Sequence, residues 1–266
     1  MSNSTDALDV AIIAVDEYYY IPKFLKRVVE ADDIHVSGIT TVSPSLGTES
    51  LPRFALRLYR AFGPRVFLKH GLFYSKYLGL DQVNRLLDRG TAYSPETLAE
   101  RNGIEHRHVS DVNAESYLQY VRQQSPDVLV SVAATQQFDA ELLDIPSKGA
   151  INIHSSLLPE YRGVSPSFWS LLYDEERTGI TVHYMDENLD TGDVIKQREL
   201  PIKNDTLHSL NTRVAQEGAK VLLSALRAIK QDEVDPTTID PEDGEYYSMP
   251  DRSDVRAFVE KGLRFY

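Results

Sequence analysis

The sequence predicts an α/β protein whose central sheet is open, largely parallel and covered by helices on both faces. Residues 10–15 form a continuous apolar run, as expected for a strand buried on both sides, and residues 34–42 form a second strand rich in β-branched side chains. Between them, residues 21–31 carry apolar side chains at helical spacing, which completes a strand–helix–strand unit. Because later segments repeat this alternation, we expect a doubly wound sheet with its ligand site beyond the carboxyl ends of the strands.

The segments that follow extend the alternation of strands and helices. Further strands are predicted at residues 104–109, 127–133, 149–154, 178–185 and 194–200. Further helices are predicted at residues 113–124, 138–143, 206–229 and 251–261. Two more helices are predicted at residues 51–62 and 74–87, on either side of the helix-breaking pair Gly63-Pro64.

Aromatic side chains are concentrated around the second of these last two helices, at Phe67, Phe73, Tyr74 and Tyr77. We expect them to belong to the core, where the two helices cover the sheet. An aromatic wall of a substrate cleft is the alternative interpretation.

Length and composition are those of one large globular unit with an appendage. A chain of 266 residues can bury a sizeable core, and we divide it into a catalytic domain at residues 1–200 and a helical, turn-rich extension at residues 201–266. The absence of cysteine excludes disulfides, thiolate metal sites and a cysteine nucleophile, and it fits a reducing compartment.

The charge balance bears on partners and location. Lys and Arg number 28 and Asp and Glu number 40, so the formal charge is −12, and such a surface repels phosphate backbones unless its cations cluster. Nucleic acid is therefore a disfavoured partner, although tRNA is not excluded. Residues 1–9 are polar and acidic, unlike a secretory leader, and residues 10–15 are far too few to cross a membrane. We expect a soluble cytoplasmic protein without a membrane partner.

Several motifs of α/β enzymes are missing from the chain. It has no G-x-G-x-x-G and no Walker loop, which argues against a dinucleotide or P-loop site. It has no G-x-S-x-G elbow and no H-E-x-x-H pair, which argues against a hydrolase serine and a zinc protease site. His106 and His108 alternate on a predicted strand, but no third ligand is apparent, so a polar strand edge is preferred and no metal is expected.

Three polar residues carry the chemistry that the sequence does offer. Asn152 and His154 alternate on a strand, so their side chains point to one face near its carboxyl end. An Asn amide can hold an oxyanion, a His can carry protons at neutral pH, and Asp190, before the turn-forming pair Thr191-Gly192, can orient that His. Taken singly, the three fit a turn cap, a core histidine and a solvated turn residue. Taken together, they suit direct acyl transfer between two bound molecules.

Other residues near this set have two interpretations each. His183 lies on the next predicted strand and is expected to be structural, and Phe168 with Trp169 is expected to pack a helix rather than to form a stacking platform. Arg162 fits an acceptor phosphate and a surface ion pair equally well.

The residues around Asn152, His154 and Asp190 resemble the folate-dependent formyltransferase family, which includes methionyl-tRNA, glycinamide ribonucleotide and sugar N-formyltransferases. The family motif N-x-H-x-S-L-L-P matches residues 152–159, and L-D-x-G matches residues 189–192, so that Asp190 follows His154 by 36 positions. The similarity runs from about residue 10 to residue 200. It implies a Rossmann-like formyltransferase sheet flanked by helices, with a small C-terminal extension.

The resemblance implies a role for each matched residue. His154 would be the general acid/base, Asn152 the oxyanion donor, and Asp190 the residue that orients His154 and assists proton transfer. The implied donor is N10-formyltetrahydrofolate. The family's pterin pocket corresponds to two loops of this chain, and the candidate residues are Thr135, Gln136, Gln137, Phe138, Met185, Asp186, Glu187 and Leu189.

The acceptor is inferred by elimination among the classes of the family. Methionyl-tRNA formyltransferases carry a C-terminal β-barrel, whereas the 66 residues after Leu200 open with a helix and include an acidic segment at residues 240–254. Glycinamide ribonucleotide formyltransferases are shorter, and formyltetrahydrofolate hydrolases carry an extra domain before the core. A small-molecule amine, and foremost a nucleotide-linked amino sugar, is therefore the expected acceptor. A methionyl-tRNA formyltransferase is the alternative, a hydrolase or a non-catalytic binding module stays open, and the aromatic tail suggests a homodimer.

Overall fold

A seven-stranded sheet forms the centre of the chain. The computed structural model describes residues 7–45 and 49–266; residues 1–6, on which the expectation about a leader partly rests, lie outside the described residues. The strands of the sheet are β1 (Leu8–Val15), β2 (Ile34–Val42), β3 (Glu105–Val109), β4 (Val128–Val132), β5 (Ala150–His154), β7 (Arg177–Tyr184) and β8 (Val194–Pro201). Two short strands, β6 (Arg162–Gly163) and β9 (Tyr246–Tyr247), pair with each other outside it.

The strand order is β3-β2-β1-β4-β5-β7-β8, and the chain therefore runs outward from β1 to β3 before it returns to β4 beside β1. The five strands from β3 to β5 are parallel, whereas β7 and β8 are antiparallel to their neighbours. This order confirms the predicted doubly wound α/β fold, because the winding reverses between β1 and β4. Parallel strands of this kind end at one edge, where the ligand site is expected.

Helices cover both faces of the sheet. They are α1 (Tyr20–Val29), α2 (Leu51–Leu86), α3 (Pro95–Arg101), α4 (Glu115–Gln124), α5 (Ala140–Leu143), α6 (Pro166–Leu172), α7 (Leu207–Lys230) and α8 (Arg252–Glu260), with a 3₁₀ turn at Pro241–Asp243. The short helix α3 was not predicted; the Ser94 hydroxyl caps it by accepting a hydrogen bond from the Thr97 N–H at 3.0 Å. Across the described residues, no helix combines the length and apolar character that a membrane span needs.

Alternate side chains of the central strand β1 enter two separate cores. Val10 and Ile12 face a large cluster that α1, α6, α7 and α8 cover, whereas Ala11 and Ile13 face a smaller cluster under α4 and α5. Because a strand presents successive side chains to opposite faces, both faces of β1 must be apolar, which explains its continuous apolar run.

The break predicted inside the first long helical region is confirmed at Gly63. Its φ of 72° and ψ of 168° lie outside the helical region, in a conformation that glycine adopts at low cost. The following helix begins at once, rather than at residue 74 as expected, because Pro64 fits the first turn of a helix.

The side chains of Phe67, Phe73, Tyr74 and Tyr77 do not pack over the sheet, and the expectation that they belong to its core is wrong. Asp81 is the buried residue of α2, and large apolar side chains such as Leu72 are mostly exposed. Phe73 and Tyr77 instead contact Tyr19, with ring centroids 5.1 and 4.7 Å apart, and Phe73 also contacts Tyr266. The helix therefore rests against the start of α1 and the carboxyl terminus, and it does not line the candidate active site either.

The elements after residue 200 share the large core with the sheet. Leu210, Leu222 and Leu226 of α7 are fully buried, and Phe258 of α8 stacks on Phe168 with centroids 4.7 Å apart. Phe168 and Trp169 are themselves buried, as expected for helix packing. The division of the chain at residue 200 stays a prediction.

Candidate active site

The candidate site lies where β5 ends and where the loop after β7 folds back over the sheet. Asn152 and His154 occupy β5 with one residue between them, so their side chains share a face. The loop of residues 185–193 is closed by a hydrogen bond from the Tyr184 N–H to the Asp193 carbonyl at 2.9 Å. This closure returns Asp190 to the same face of β5.

The structure brings the three predicted catalytic residues together. The Nδ1 atom of His154 lies 3.4 Å from Oδ1 of Asp190, and Nδ2 of Asn152 lies 3.4 Å from the same oxygen. The side chains of His154 and Asp190 are only 7% and 11% exposed, so their charges interact through a medium that screens them weakly.

The surroundings of His154 favour a neutral ring that can gain a proton at Nδ1. Its Nε2 donates a hydrogen bond to the Tyr161 carbonyl at 2.9 Å, which leaves a lone pair on Nδ1 facing Asp190 in the neutral form. Burial lowers the pKa of His154, while the charge of Asp190 and the Tyr161 carbonyl oppose that shift. An imidazolium formed during a reaction would therefore have an acceptor at each nitrogen.

Asp190 is held as a carboxylate. Burial acts to raise its pKa, but His154, His183 and the Gly163 N–H together lower the pKa to about 2. The Gly163 N–H donates to Oδ2 at 2.8 Å, and Asp190 itself has a left-handed φ of 57°. The carboxylate is therefore charged throughout the neutral pH range.

Four of the eight described non-glycine residues with a left-handed φ lie around this site. Ala133, Tyr161, Ser165 and Asp190 have φ values of 52°, 55°, 58° and 57°, which non-glycine residues rarely adopt. Ala133, Ser165 and Asp190 line the cavity beside the site, and the Tyr161 carbonyl accepts a hydrogen bond from His154, which also lines it. Strain of this kind is retained where the surrounding structure fixes a functional geometry.

His183 forms a hydrogen bond with the side-chain amide of Asn152. The sequence predicted a structural role for His183 but did not specify this contact. Its side chain is 2% exposed, and its Nδ1 donates to the Tyr184 carbonyl at 2.7 Å, which leaves Nε2 free to accept from Nδ2 of Asn152 at 3.2 Å. The antiparallel register pairs Asn152 with His183. A single sequence does not reveal register between strands, so this contact had no local signal.

A cavity of about 610 Å³ opens beside these residues. It is lined by ten of the eleven predicted site residues, namely Asn152, His154, Asp190, Thr135, Gln136, Gln137, Phe138, Met185, Asp186 and Leu189. The remaining one, Glu187, does not line the cavity, but its carbonyl accepts a hydrogen bond from Nε2 of Gln137 at 2.5 Å. The two predicted pocket loops are therefore joined by a direct contact.

The C-terminal extension also contributes to the site. The N–H of Arg162 donates to the Glu245 carbonyl at 3.1 Å, and the N–H of Val164 donates to the Tyr247 carbonyl at 2.8 Å. This pairing places Tyr246 at the cavity. Its contribution was not predicted, because the partners lie about 80 positions apart in the sequence.

His106 and His108 lie on the edge strand β3, away from the cavity. Both rings contact the Thr41 hydroxyl, at 3.1 and 3.2 Å. Within residues 7–45 and 49–266, no group of three or more His, Asp or Glu side chains has a metal-binding arrangement.

Comparison with known proteins finds similarity to formyltransferases. The chain is 43% identical to a methionyl-tRNA formyltransferase from Syntrophus aciditrophicus (strain SB) over 116 residues, which cover 43% of this chain and 37% of the relative. Over 165 residues it is 36% identical to the methionyl-tRNA formyltransferase of Acetivibrio thermocellus, with 61% of this chain and 53% of that one covered. The chain spans about half the length of the curated relatives it matches.

A solved structure shares the fold of nearly the whole chain. The N-formyltransferase from Helicobacter canadensis, in complex with folinic acid and dTDP-3-aminofucose, superimposes with a TM-score of 0.60 at 16% identity and covers 97% of this chain and 83% of its own. The Formyl transferase family itself matches residues 70–226, which is more than half of the sequence and includes Asn152, His154 and Asp190. The chain belongs to the formyl transferase family.

Proposed function

We propose that this protein transfers a formyl group from N10-formyltetrahydrofolate to a primary amine bound in the same cavity. The observation that carries the proposal is the meeting of Asn152, His154 and Asp190 at the wall of one cavity, which the two loops predicted to hold the pterin also line. The formyltransferase relatives and the folinic acid named with the Helicobacter canadensis structure support the choice of donor.

The proposed reaction needs an oxyanion donor and one proton carrier. The acceptor nitrogen attacks the formyl carbon, and the resulting oxyanion accepts a hydrogen bond from the Asn152 amide, whose 3.4 Å contact with Asp190 is long enough to be exchanged. His154 takes the proton of the attacking amine at Nδ1, and Asp190 stabilises the imidazolium. His154 then returns the proton to N10 as the C–N10 bond breaks, which yields the formamide and tetrahydrofolate.

We propose that the donor's pterin occupies the space between the loops after β4 and β7. Thr135, Gln136, Gln137 and Phe138 line one side, and Met185, Asp186 and Leu189 line the other. Glu187 would contribute through its backbone carbonyl, which positions the Gln137 side chain by accepting its hydrogen bond. The reaction would take place in the cytoplasm, and the homodimer expected from the sequence remains a prediction.

A nucleotide-linked amino sugar is our leading candidate for the acceptor. The Helicobacter canadensis enzyme, which shares the fold of nearly the whole chain, is described with such a molecule, dTDP-3-aminofucose. Among the residues that the structure describes, no Lys or Arg lines the cavity itself, and the chain carries a formal charge of −12. Such a surface suits a small acceptor with few phosphates better than a polynucleotide.

Methionyl-tRNA is the second candidate, and one surface feature favours it besides the curated relatives. Helix α2 contains seven Lys or Arg residues and one Asp, in a chain that is acidic as a whole. Arg57 pairs with Glu49, and Arg85 pairs with Glu96 and Glu100. The other five basic residues form no ion pair with any residue that the structure describes, so they are available to phosphates.

The acceptor is tested by the release of tetrahydrofolate from N10-formyltetrahydrofolate. We would compare reactions without acceptor, with a panel of dTDP- and UDP-linked amino sugars, and with charged initiator tRNA, each at low and high salt. Release that requires an amino sugar and changes little with salt is the expected result. Release that requires tRNA and falls steeply with salt would support the second candidate. Release without any acceptor would indicate hydrolysis, and no release under any condition would contradict the proposal.

The pH dependence of kcat reports on His154. Because burial lowers the pKa of this ring below its ordinary value of 6.5, the neutral, proton-accepting form persists as the pH falls past 6.5. With saturating substrates, we expect kcat to fall at acid pH, with the midpoint of this fall below pH 6.5. A midpoint above pH 7 would contradict this assignment.

The lowered pKa of His154 also makes the folded protein less stable at acid pH. Because the unfolded chain takes up the proton first, the free energy of unfolding falls as the pH drops below 6.5.

Gly192 is expected to be needed for the position of the Asp190 loop. A Cβ atom at this residue would lie 2.0 Å from the Tyr184 carbonyl oxygen, so Gly192→Ala must displace the loop. We expect kcat to fall about 100-fold, as small misplacements of reacting groups commonly produce. Gly79→Ala is the matched control, because a Cβ there meets nothing within 4 Å. Wild-type kcat in Gly192→Ala would show that the loop position is not critical.

A further inference from the structure

We propose that Arg162 and Tyr246 form a subsite for a phosphate group of the acceptor, in a groove that adjoins the active-site cavity. The inference rests on the proposed function, because it names how the acceptor would be held. The groove has a volume of about 660 Å³ and shares Gln137, Asn188 and Tyr246, among others, with the cavity. A molecule with its amine at His154 can therefore extend into the groove.

The backbone around Arg162 connects the groove to the reacting residues. The Tyr161 carbonyl accepts from Nε2 of His154, and the Gly163 N–H donates to Asp190. Arg162 lies between these two contacts, and its side chain lines the groove rather than the cavity. A ligand anchored by Arg162 would consequently be fixed relative to both His154 and Asp190.

Arg162 lacks a partner for its charge among the residues that the structure describes. It forms no ion pair there, its Nε is buried without a hydrogen-bond partner, and Nη2 donates only a long bond of 3.4 Å to the Gly244 carbonyl. Arg162 is also the one Lys or Arg among the described residues that line the cavity or the groove. A buried donor without an acceptor is costly, and a phosphate matches the fork of guanidinium N–H groups.

Another possible phosphate site, the N-terminus of helix α1, is already occupied by a side chain of the protein. The N-terminus of α1 follows β1 at the point where the winding of the sheet reverses. There the Glu17 carboxylate accepts hydrogen bonds from the N–H groups of Tyr19, Tyr20 and Ile21 at 2.9, 2.6 and 2.9 Å. Because these N–H groups already donate to the Glu17 carboxyl group, which fills the site, a phosphate would be excluded from it.

The remaining walls of the groove are compatible with a phosphate ester. Asp186 also lines the groove, but its Oδ1 accepts from the Asn188 N–H and the Thr191 hydroxyl at 2.8 and 2.7 Å, so that oxygen is committed to its own loop. Tyr246 is 50% exposed, and its ring lies so close to Gly163 that a Cβ there would come within 2.7 Å of it. The ring is a firm apolar wall against which a sugar or base can pack.

The kinetic test is Arg162→Met, which removes the charge and keeps an apolar stem of similar length. With the nucleotide-linked amino sugar that the acceptor panel identifies, we expect the KM of the acceptor to rise about 10- to 100-fold. The KM of the donor and kcat should stay within about 3-fold of wild type. Arg256→Met on α8, where the side chain is 78% exposed, is the matched control. If the KM of the donor rises instead, Arg162 binds the glutamate carboxylates of the donor and the proposal is overturned. Kinetic constants equal to those of the wild type would also overturn it.

A binding measurement separates this inference from the proposed function. Titration of dTDP into the wild-type protein and into Arg162→Met, followed by calorimetry, requires no formyl transfer. We expect dTDP to bind the wild type and to bind the variant about 10- to 100-fold more weakly. Equal affinities would overturn the subsite even if the enzyme is an active formyltransferase. Loss of affinity in a protein that transfers no formyl group would retain the subsite and reject the proposed function.

Discussion

Replacement of His154 by alanine is expected to lower kcat for formyl transfer by about 10²- to 10⁴-fold, which is the usual contribution of a general acid/base. The ring would be the proton carrier between the attacking amine and N10, and the Tyr161 carbonyl and Asp190 hold its two nitrogens. Because His154 and Asp190 act as a pair, the double variant His154→Ala/Asp190→Asn should lose little more than His154→Ala alone.

The measurement is steady-state release of tetrahydrofolate with the acceptor that the panel identifies. His35→Ala is the matched control, because this histidine is 63% exposed on β2 and is expected to retain wild-type kcat. Circular dichroism and the unfolding midpoint show whether each variant is folded. A kcat of His154→Ala within about 3-fold of wild type would contradict the role assigned to the ring, because general acid/base catalysis contributes far more.

Truncation of Phe258 is expected to lower the free energy of unfolding by about 3–5 kcal/mol, the range observed for Phe→Ala changes in protein cores. The ring is fully buried, and its centroid lies 4.7 Å from that of Phe168 and 4.8 Å from that of Phe265. Its removal would leave a cavity between the C-terminal helix α8 and helix α6, which follows β6 at the active site.

Equilibrium unfolding in urea measures this change in free energy. Val259→Ala on the same helix is the matched control, because Val259 is 53% exposed and should cost about 0.5 kcal/mol or less. A loss below about 1 kcal/mol for Phe258→Ala would mean that the extension packs only loosely on the sheet. Such a result would also weaken the contribution of Tyr246 to the site.

The central fold was predictable because its strands and helices carry their own patterns. The predicted strand at residues 34–42 has the same bounds as β2, and the break at Gly63 follows from the local chemistry of glycine and proline. The antiparallel direction of β7 and β8 had no such signal, since strand direction depends on connections and pairing. The short helix α3 was missed because a helix of seven residues shows too little periodicity.

The candidate site also contains residues that the sequence predicted and residues that it did not. Asn152, His154 and Asp190 were recognisable because two local motifs contain them, and the structure places side-chain nitrogens of Asn152 and His154 each 3.4 Å from Oδ1 of Asp190. His183 and Tyr246 reach the site through pairing between distant segments, which a single sequence does not specify. The exposure of α2 was missed for a related reason, because its aromatic face meets α1 and the carboxyl terminus rather than the sheet.

The fate of the formyl carbon tests the proposed function most directly. N10-formyltetrahydrofolate labelled with ¹³C in the formyl group would be mixed with excess enzyme and the acceptor panel, and the product would be followed by NMR. We expect the label to appear as a formamide on one acceptor, in step with tetrahydrofolate release, and to do so far more slowly with Asn152→Ala or His154→Ala. Label that appears as formate at the same rate with and without an amine, or transfer that both variants perform as fast as wild type, would contradict direct transfer at this site.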